Sequence, residues 1–287
     1  MRWIFVNGEV VERPAARVSA LDRGLLYGYG LFETMRSYGG RVFRLGAHYR
    51  RLCDGASRLA IAVPLSLDDV GEAVDAVLVR NDLADAYLRL TVTAGTPPNA
   101  AGPAGDAAVV LVARPLTDYP PDLYRRGMSA VVSPVRRNET SPLSAVKSLN
   151  CLDNLLARED ARRRGADEAI LLNTRGLVAE GSASNLFLVE GGRLLTPSIE
   201  SGALPGITRQ AALELASAAG LEAVESGVEM QALWDAPEVF LTNSVMEVMP
   251  LTMLDGRPVG SGKPGPVTER LGRMYRELVL RETSSSA

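Results

Sequence analysis

"SPLSAVKSLNCLDNLLARED", residues 141–160, carries a lysine at position 147, behind the apolar pair Ala145 and Val146 and just ahead of an amphipathic helical pattern. The chain has 31 cationic side chains, and only Lys147 and Lys263 are lysines; the other 29 are arginines. A primary amine condenses with an aldehyde, whereas a guanidinium stays protonated at every relevant pH and does not. Condensation needs the amine neutral part of the time, which apolar neighbours and a nearby cation favour. A lysine is ordinarily a solvated surface residue, and Lys263 in the polar turn "GSGKPGP" fits that description. Lys147 reads instead as a reactive amine.

Composition bounds the rest. A chain of 287 residues has room for two sub-domains, each with its own core. With 46% apolar and 23% charged residues it has an ordinary globular composition. No apolar run reaches the roughly 18 residues that span a bilayer. The N-terminus "MRWIFVNGEVVERP" lacks the apolar centre of a signal peptide. Cys53 and Cys151 do not make a disulfide framework, so a reducing cytoplasm is the expected setting. A net charge of −3 gives a nucleic-acid partner no support. The single histidine, His48, leaves no His-rich metal site and argues against Ser-His-Asp chemistry.

Along the chain, "WIFVNGEVV" predicts a hairpin turning at Asn7-Gly8, and "GLFETMRSY" and "RVFRL" a second one turning at Gly39-Gly40. Leu45, Tyr49, Leu52, Ala56 and Leu59 recur at helical spacing. Ser66 with Asp69 makes a capping box for a helix that turns Val70, Val74, Val77 and Leu78 inward. "AYLRLTVTAG" alternates, with Leu88, Leu90 and Val92 on one side and Tyr87, Arg89 and Thr91 on the other. The proline-rich stretch at 116–124 reads as a linker between a small α+β domain, 1–115, and a larger domain, 125–287. In the larger part, "GMSAVVS", "EAILLN", "LVAEG", "NLFLVEGGRLLTP" and "EVFLTNS" read as strands, with helices at 149–164, across "PGITRQAALELASAAG" and at 265–283. The tail "TSSSA" is expected to fray. A two-domain α/β protein with its ligand site in the cleft between the domains is the expectation.

If Lys147 carries an aldehyde cofactor, pyridoxal phosphate is the candidate, and it needs a phosphate cradle and a carboxylate for its ring nitrogen. "ALPGITRQ" puts Gly206, Ile207 and Thr208 at a helix N-terminus, where free N–H groups and the dipole favour an anion. "FLTNS" ends an apolar strand with polar groups, Ser244 among them. "VAEGSASN" places Glu180 where a strand breaks into glycine and serine, a position from which a carboxylate can be directed.

Taken together and in this order, "FETMR", "HYRRL", "YLRL", "KSLNCLDNLLA", "EGSASNLF", "LPGITR" and "TNSVMEVMP" resemble the fold-type IV pyridoxal-phosphate enzymes, the class IV aminotransferases, over essentially the whole chain. The resemblance implies that Lys147 is the cofactor-bearing lysine and Glu180 the partner of the ring nitrogen. It implies that Arg51 holds the phosphate together with the Ile207 N–H, Thr208 and Ser244. It further implies a small α+β domain beside a larger pseudo-barrel domain, assembled as a homodimer with the site at the domain boundary.

Within the family, branched-chain aminotransferases usually carry glycine at the place of Thr34 and tyrosine at the place of Leu152. D-amino-acid aminotransferases usually carry tyrosine at the place of Phe32 and an Arg-x-His carboxylate trap in the loop that here reads "GTPPNAAGP". Aminodeoxychorismate lyases, which form 4-aminobenzoate and pyruvate for folate synthesis, are similar at "RGLLYGYGLFETMR", "KSLNCLDNL" and "TNSVMEVMP". The lyase is therefore the first expectation, with Thr34 as a proton relay to the departing enolpyruvyl group and Lys147 as general base. A class IV aminotransferase acting on branched-chain L-amino acids, or on D-amino acids, with 2-oxoglutarate is the second. In either case the small-molecule substrate carries carboxylates, and Arg89 and Arg36 are the candidate anchors. A third reading keeps the fold as a cofactor-free binding or structural protein; the yellow colour of a cofactor-loaded protein separates it from the other two.

Overall fold

Asn7 and Gly8 take positive φ angles of 50° and 97° and turn strand β1 (Trp3–Val6) into β2 (Glu9–Glu12), the mirror-image turn geometry that matches strand twist. The structure is a computed structural model that describes residues 1–97, 105–117 and 119–284. Part of the loop 95–103 and the end of the tail therefore lie outside the described residues.

The chain divides into two units that are not contiguous in sequence. The first comprises Met1–Thr117, Val146–Asn150 and Val279–Ala287; the second comprises Asp118–Ala145 and Cys151–Leu278. Lys147 thus lies in a five-residue segment of the first unit, Val146–Asn150, that interrupts the second.

In the first unit a short helix α1 (Arg23–Tyr27) leads into β3 (Gly30–Tyr38) and β4 (Arg41–Val42). Helices α2 (Leu45–Arg58) and α3 (Leu67–Arg80) follow, then β5 (Ala86–Thr93) and β6 (Val109–Pro115). The six strands form one antiparallel sheet in the order β2-β1-β6-β5-β3-β4. Its core gathers Leu31 and Met35 of β3 with Leu88, Leu90 and Val92 of β5, and with Leu52 and Ala56 of α2 and Val70, Val74, Val77 and Leu78 of α3. The expected capping box is present: the Ser66 hydroxyl accepts the Asp69 N–H, and the Asp69 carboxylate accepts the Ser66 N–H.

The second unit holds α4 (Pro121–Arg126), β7 (Met128–Arg137), α5 (Leu152–Arg163), β8 (Glu168–Asn173), β9 (Val178–Gly181), β10 (Asn185–Glu190) and β11 (Arg193–Pro197). It continues with α6 (Ile207–Ala218), β12 (Glu222–Ser226), α7 (Met230–Asp235), β13 (Glu238–Asn243), β14 (Glu247–Leu254) and β15 (Arg257–Pro258). Helix α8 (Pro266–Thr283) closes the chain. The sheet order is β12-β11-β10-β13-β14-β7-β8-β9, with β15 on β14. A bridge between Val178 of β9 and Val228, just past β12, joins the two ends of that order, so the sheet curls into a pseudo-barrel. Leu186, Leu188, Leu241, Met249 and Leu251 fill one side of the curl, and Phe187 and Phe240 stack on the other with ring centroids 4.9 Å apart. The molecule is an α/β protein, with an α+β first unit and a pseudo-barrel second.

Some elements depart from the sequence reading for identifiable reasons. The helix expected from 149 begins at Leu152, because residues 147–149 are hydrogen-bonded to β3 instead. The strand expected through "RVFRL" is two residues long, because Leu45 already starts α2. Strand β14 was hidden by Pro250, which breaks the appearance of a strand. Strand β12 is too exposed to show alternation.

Candidate active site

Lys147 is seated by backbone pairing. The Phe32 N–H donates to the Lys147 carbonyl at 2.9 Å, the Leu149 N–H donates to the Gly30 carbonyl at 2.9 Å, and Leu31 and Ser148 form an antiparallel bridge. Residues opposite one another in such a pair share a sheet face. Val146 and Ser148 therefore turn inward with Leu31, and both are buried, while Lys147 turns to the face of Phe32. Its Nζ lies 4.6 Å from the Phe32 ring centroid. The Asn150 amide closes the segment by donating to the Gly28 carbonyl at 2.9 Å.

The same sheet face collects three other expected residues. Thr34 stands directly opposite Arg89 and Arg36 opposite Tyr87 in the β3–β5 register. The Arg89 guanidinium lies 3.6 Å from the Phe32 centroid, and that of Arg36 lies 4.3 Å from the Tyr38 centroid. An amine, an aromatic wall, a hydroxyl and two guanidiniums thus share one face, a composition suited to a small carboxylate substrate.

Arg51 lies elsewhere, on α2 against the inward face of β3. Its Nε and Nη2 donate to the two oxygens of Glu33 at 2.8 and 2.5 Å, and His48 Nδ1 lies 2.7 Å from Glu33 Oε2. Glu33 is 1% exposed. Burial pushes its carboxyl up, but the Arg51 charge with the hydrogen bonds from His48 and Arg51 outweighs that and holds it at about 2. Burial lowers the pKa of His48, with the Arg51 and Lys147 charges adding to this against the pull of Glu33. Sequence reading passed over this cluster. The available signal was a carboxylate at a core-facing position between Leu31 and Met35, with the only histidine and Arg51 three residues apart on one helix face.

In the second unit Glu180 is buried and held from several sides. Its Oε2 accepts the Leu204 N–H at 2.9 Å and the Asn185 amide at 3.3 Å, and Arg137 stands 3.5 Å from Oε1. Arg137 and Asn185 were missed, because neither differs in sequence from the chain's many other arginines and asparagines. Helix α6 starts after Gly206, which is extended at φ −71° and ψ 140°, and no side chain caps its first N–H groups among the described residues. A Cβ at Gly206 would come within 2.0 Å of Asn185 Oδ1, so the approach to this helix end is open only to glycine. Thr208, one turn-position on, is 2% exposed, and its Oγ1 has no hydrogen-bond partner among the described residues. An orphaned buried hydroxyl beside uncapped N–H groups is what a phosphate would satisfy. Ser244 stands half-buried in the turn after β13, a turn held by Asn243 Oδ1 accepting the Val245 and Met246 N–H groups at 2.9 and 2.8 Å. Each unit carries part of the donor set that pyridoxal phosphate needs: an amine in the first, a directed carboxylate and an anion cradle in the second.

Comparison with known proteins bears on the choice between lyase and aminotransferase. The branched-chain-amino-acid aminotransferase of Escherichia coli strain K12 is 37% identical over 294 residues, covering 98% of this chain and 94% of its own. A crystal structure of the Escherichia coli branched-chain amino acid aminotransferase superposes with a TM-score of 0.92 at 35% identity, covering 99% of this chain and 96% of its own. The holo form, with pyridoxal phosphate, of the branched-chain amino acid aminotransferase from Thermobaculum terrenum superposes with a TM-score of 0.86 at 29% identity, covering 98% and 94%. These likenesses overturn the first expectation, an aminodeoxychorismate lyase of folate synthesis.

The structure supplies the reason for the error. "KSLN" and "GYGLF", two of the segments that favoured the lyase, are the two sides of the pairing that seats Lys147. A Cβ at Gly30 would come within 2.6 Å of the Val92 carbonyl and 2.8 Å of Leu149, so that glycine reports close packing. Such motifs describe how the lysine is held, and they are silent on the substrate. The model of the family "Amino-transferase class IV" matches residues 30–254, a span that runs from the strand facing Lys147 through the Glu180 carboxylate to the end of β14, and the chain belongs to that family of fold-type IV pyridoxal-phosphate enzymes.

Proposed function

We propose that this chain is an aminotransferase that moves the amino group of branched-chain L-amino acids to 2-oxoglutarate, using pyridoxal phosphate. The observation that carries the reading is the near full-length likeness to proteins named branched-chain aminotransferases, at 37% and 35% identity. The aromatic and guanidinium face around Lys147 supports it, since the substrates are small, carboxylate-bearing and in part apolar.

When bound, pyridoxal phosphate supplies an aldehyde that condenses with amines and a ring that accepts electrons. Lys147 is the residue that would bear it through Nζ, and the same amine, when free, would serve as general base toward the substrate's α-proton. Glu180, presented by the Leu204 N–H and Asn185, holds a proton at the ring nitrogen. The Ile207 N–H and the Thr208 hydroxyl, with Ser244, would hold the phosphate; Arg51, expected from the sequence to join them, has two of its donors on Glu33. Arg89 and Arg36 receive substrate carboxylates, and Phe32 walls the apolar side. Thr34 has no proton to deliver in this reaction, so the relay expected of it for the lyase lapses.

A homodimer belongs to the same reading. Leu25, Leu26 and Tyr27 on α1 and Leu152, Leu155 and Leu156 on α5 are exposed apolar side chains that a second copy would cover. The enzymatic test is to supply L-leucine, L-isoleucine or L-valine with 2-oxoglutarate to the loaded protein and follow glutamate. Absence of glutamate with all three would end the proposal.

A further inference from the structure

Arg137 ends β7 with its side chain 18% exposed, and its guanidinium is fixed by neutral acceptors. Nε donates to the Gly202 carbonyl at 3.0 Å, Nη1 to Asn154 Oδ1 at 3.2 Å, and Nη2 to the Ser144 carbonyl at 2.6 Å. Nη2 also stands 3.5 Å from Glu180 Oε1, beyond the usual hydrogen-bond distance and well within charge–charge range. The two oxygens of Glu180 are therefore treated differently: amide donors fix Oε2, and a cation faces Oε1. Ser144 and Asn154 flank the points where the chain leaves the second unit and returns to it, on either side of the five residues that carry Lys147.

We propose that Arg137 is a positioning residue for Glu180, a cation held in place by three neutral acceptors so that its charge keeps that carboxylate ionised. This rests on the reading that Glu180 serves the ring nitrogen. Three bonds strung over three segments demand the planar fork of arginine and leave no freedom for the charge to swing away. Charged groups on the neighbouring segments have partners of their own. Glu139 accepts from the Thr174 N–H and hydroxyl and pairs with Arg175 at 3.2 Å. Glu168, on the strand beside β9, accepts from Ser182 and Ser184. Arg209 of α6 pairs with Glu225.

The test is the titration of the Glu180 carboxyl itself, read by NMR on full-length protein with ¹³C-labelled glutamate, before and after pyridoxal phosphate is added. Glu180→Gln identifies the resonance. Before addition, Arg137→Gln is expected to raise its midpoint by roughly 1–3 pH units, the usual effect of an opposite charge at this range. Arg137→Lys, which keeps a charge without the fork, is expected to raise it by a smaller but measurable amount. A midpoint that stays at the wild-type value in Arg137→Gln overturns the proposal, whatever happens to thermal stability. Should that variant not fold, an unmoved midpoint in Arg137→Lys overturns it equally. If the midpoint moves but Glu180→Gln turns over as fast as wild type, the positioning role stands and the assignment of Glu180 to the ring nitrogen falls.

Discussion

Replacing Arg51 with alanine takes the cation away from a carboxylate that is 1% exposed. Glu33 is held at about 2 against its ordinary 4.5, a difference that corresponds to about 3 kcal/mol of stability. Its folded value lies below the unfolded one, so this contribution is fully present above pH 4.5 and is lost as pH falls toward 2. In Arg51→Ala burial remains while the main counter-charge is gone, so the carboxyl favours its protonated form. The variant's folded value then lies above the unfolded one, and its penalty grows as pH rises. At pH 7 the expected loss is about 3–5 kcal/mol, the range for breaking a buried pair from one side. At pH 3.5 the wild type has already given up about 1.4 kcal/mol, so the gap between the two proteins shrinks by at least that much. The assay is urea unfolding of full-length protein without added cofactor at pH 7, 5 and 3.5, which keeps phosphate binding out of the comparison. An equal gap at pH 7 and pH 3.5 would refute the reasoning. So would an undiminished cost of Arg51→Ala in a Glu33→Gln background.

Thr208→Val is expected to lower affinity for pyridoxal phosphate by about tenfold, as loss of one good hydrogen bond does. The melting temperature of the cofactor-free protein should hold or rise, because that hydroxyl has no partner among the described residues; unchanged affinity in equilibrium dialysis would count against the cradle. Glu180→Gln should retain cofactor on dialysis while transamination slows severely, and wild-type rates would remove its role. Borohydride reduction and peptide mapping should find the pyridoxyl label on Lys147; label on Lys263 would displace the assignment. Ser66→Ala should cost about 1 kcal/mol through the lost N-cap, measured by urea unfolding, with turnover unaffected.

Much of this was legible in the residues. Lys147 stood out because the chain uses arginine almost everywhere else, and Ser66 with Asp69 announced the start of α3. The helical spacing of Leu45 to Leu59 located α2, and the alternation of "AYLRLTVT" located β5 with Arg89 on its polar face. What escaped was long-range pairing. Glu33 meets Arg51 and His48 across 18 and 15 residues, and nothing local in "FETMR" says that its glutamate faces the core with two partners waiting. Arg137 escaped because one arginine among 29 carries no mark in sequence. The excursion that puts the segment Val146–Asn150, with Lys147, in a different unit from the chain before and after it is likewise a tertiary fact, and a helical pattern starting just after the lysine drew the helix boundary three residues too early. Motifs that seat a lysine were read as motifs that choose a substrate, which is why the lyase was favoured over the aminotransferase.

The central claim is tested most directly by product identification with the purified, pyridoxal-phosphate-loaded protein offered L-leucine with 2-oxoglutarate and, separately, aminodeoxychorismate. Formation of 4-methyl-2-oxopentanoate and glutamate in the first reaction, with no 4-aminobenzoate in the second, is the predicted result. Release of 4-aminobenzoate and pyruvate, with leucine left unconsumed, would contradict it.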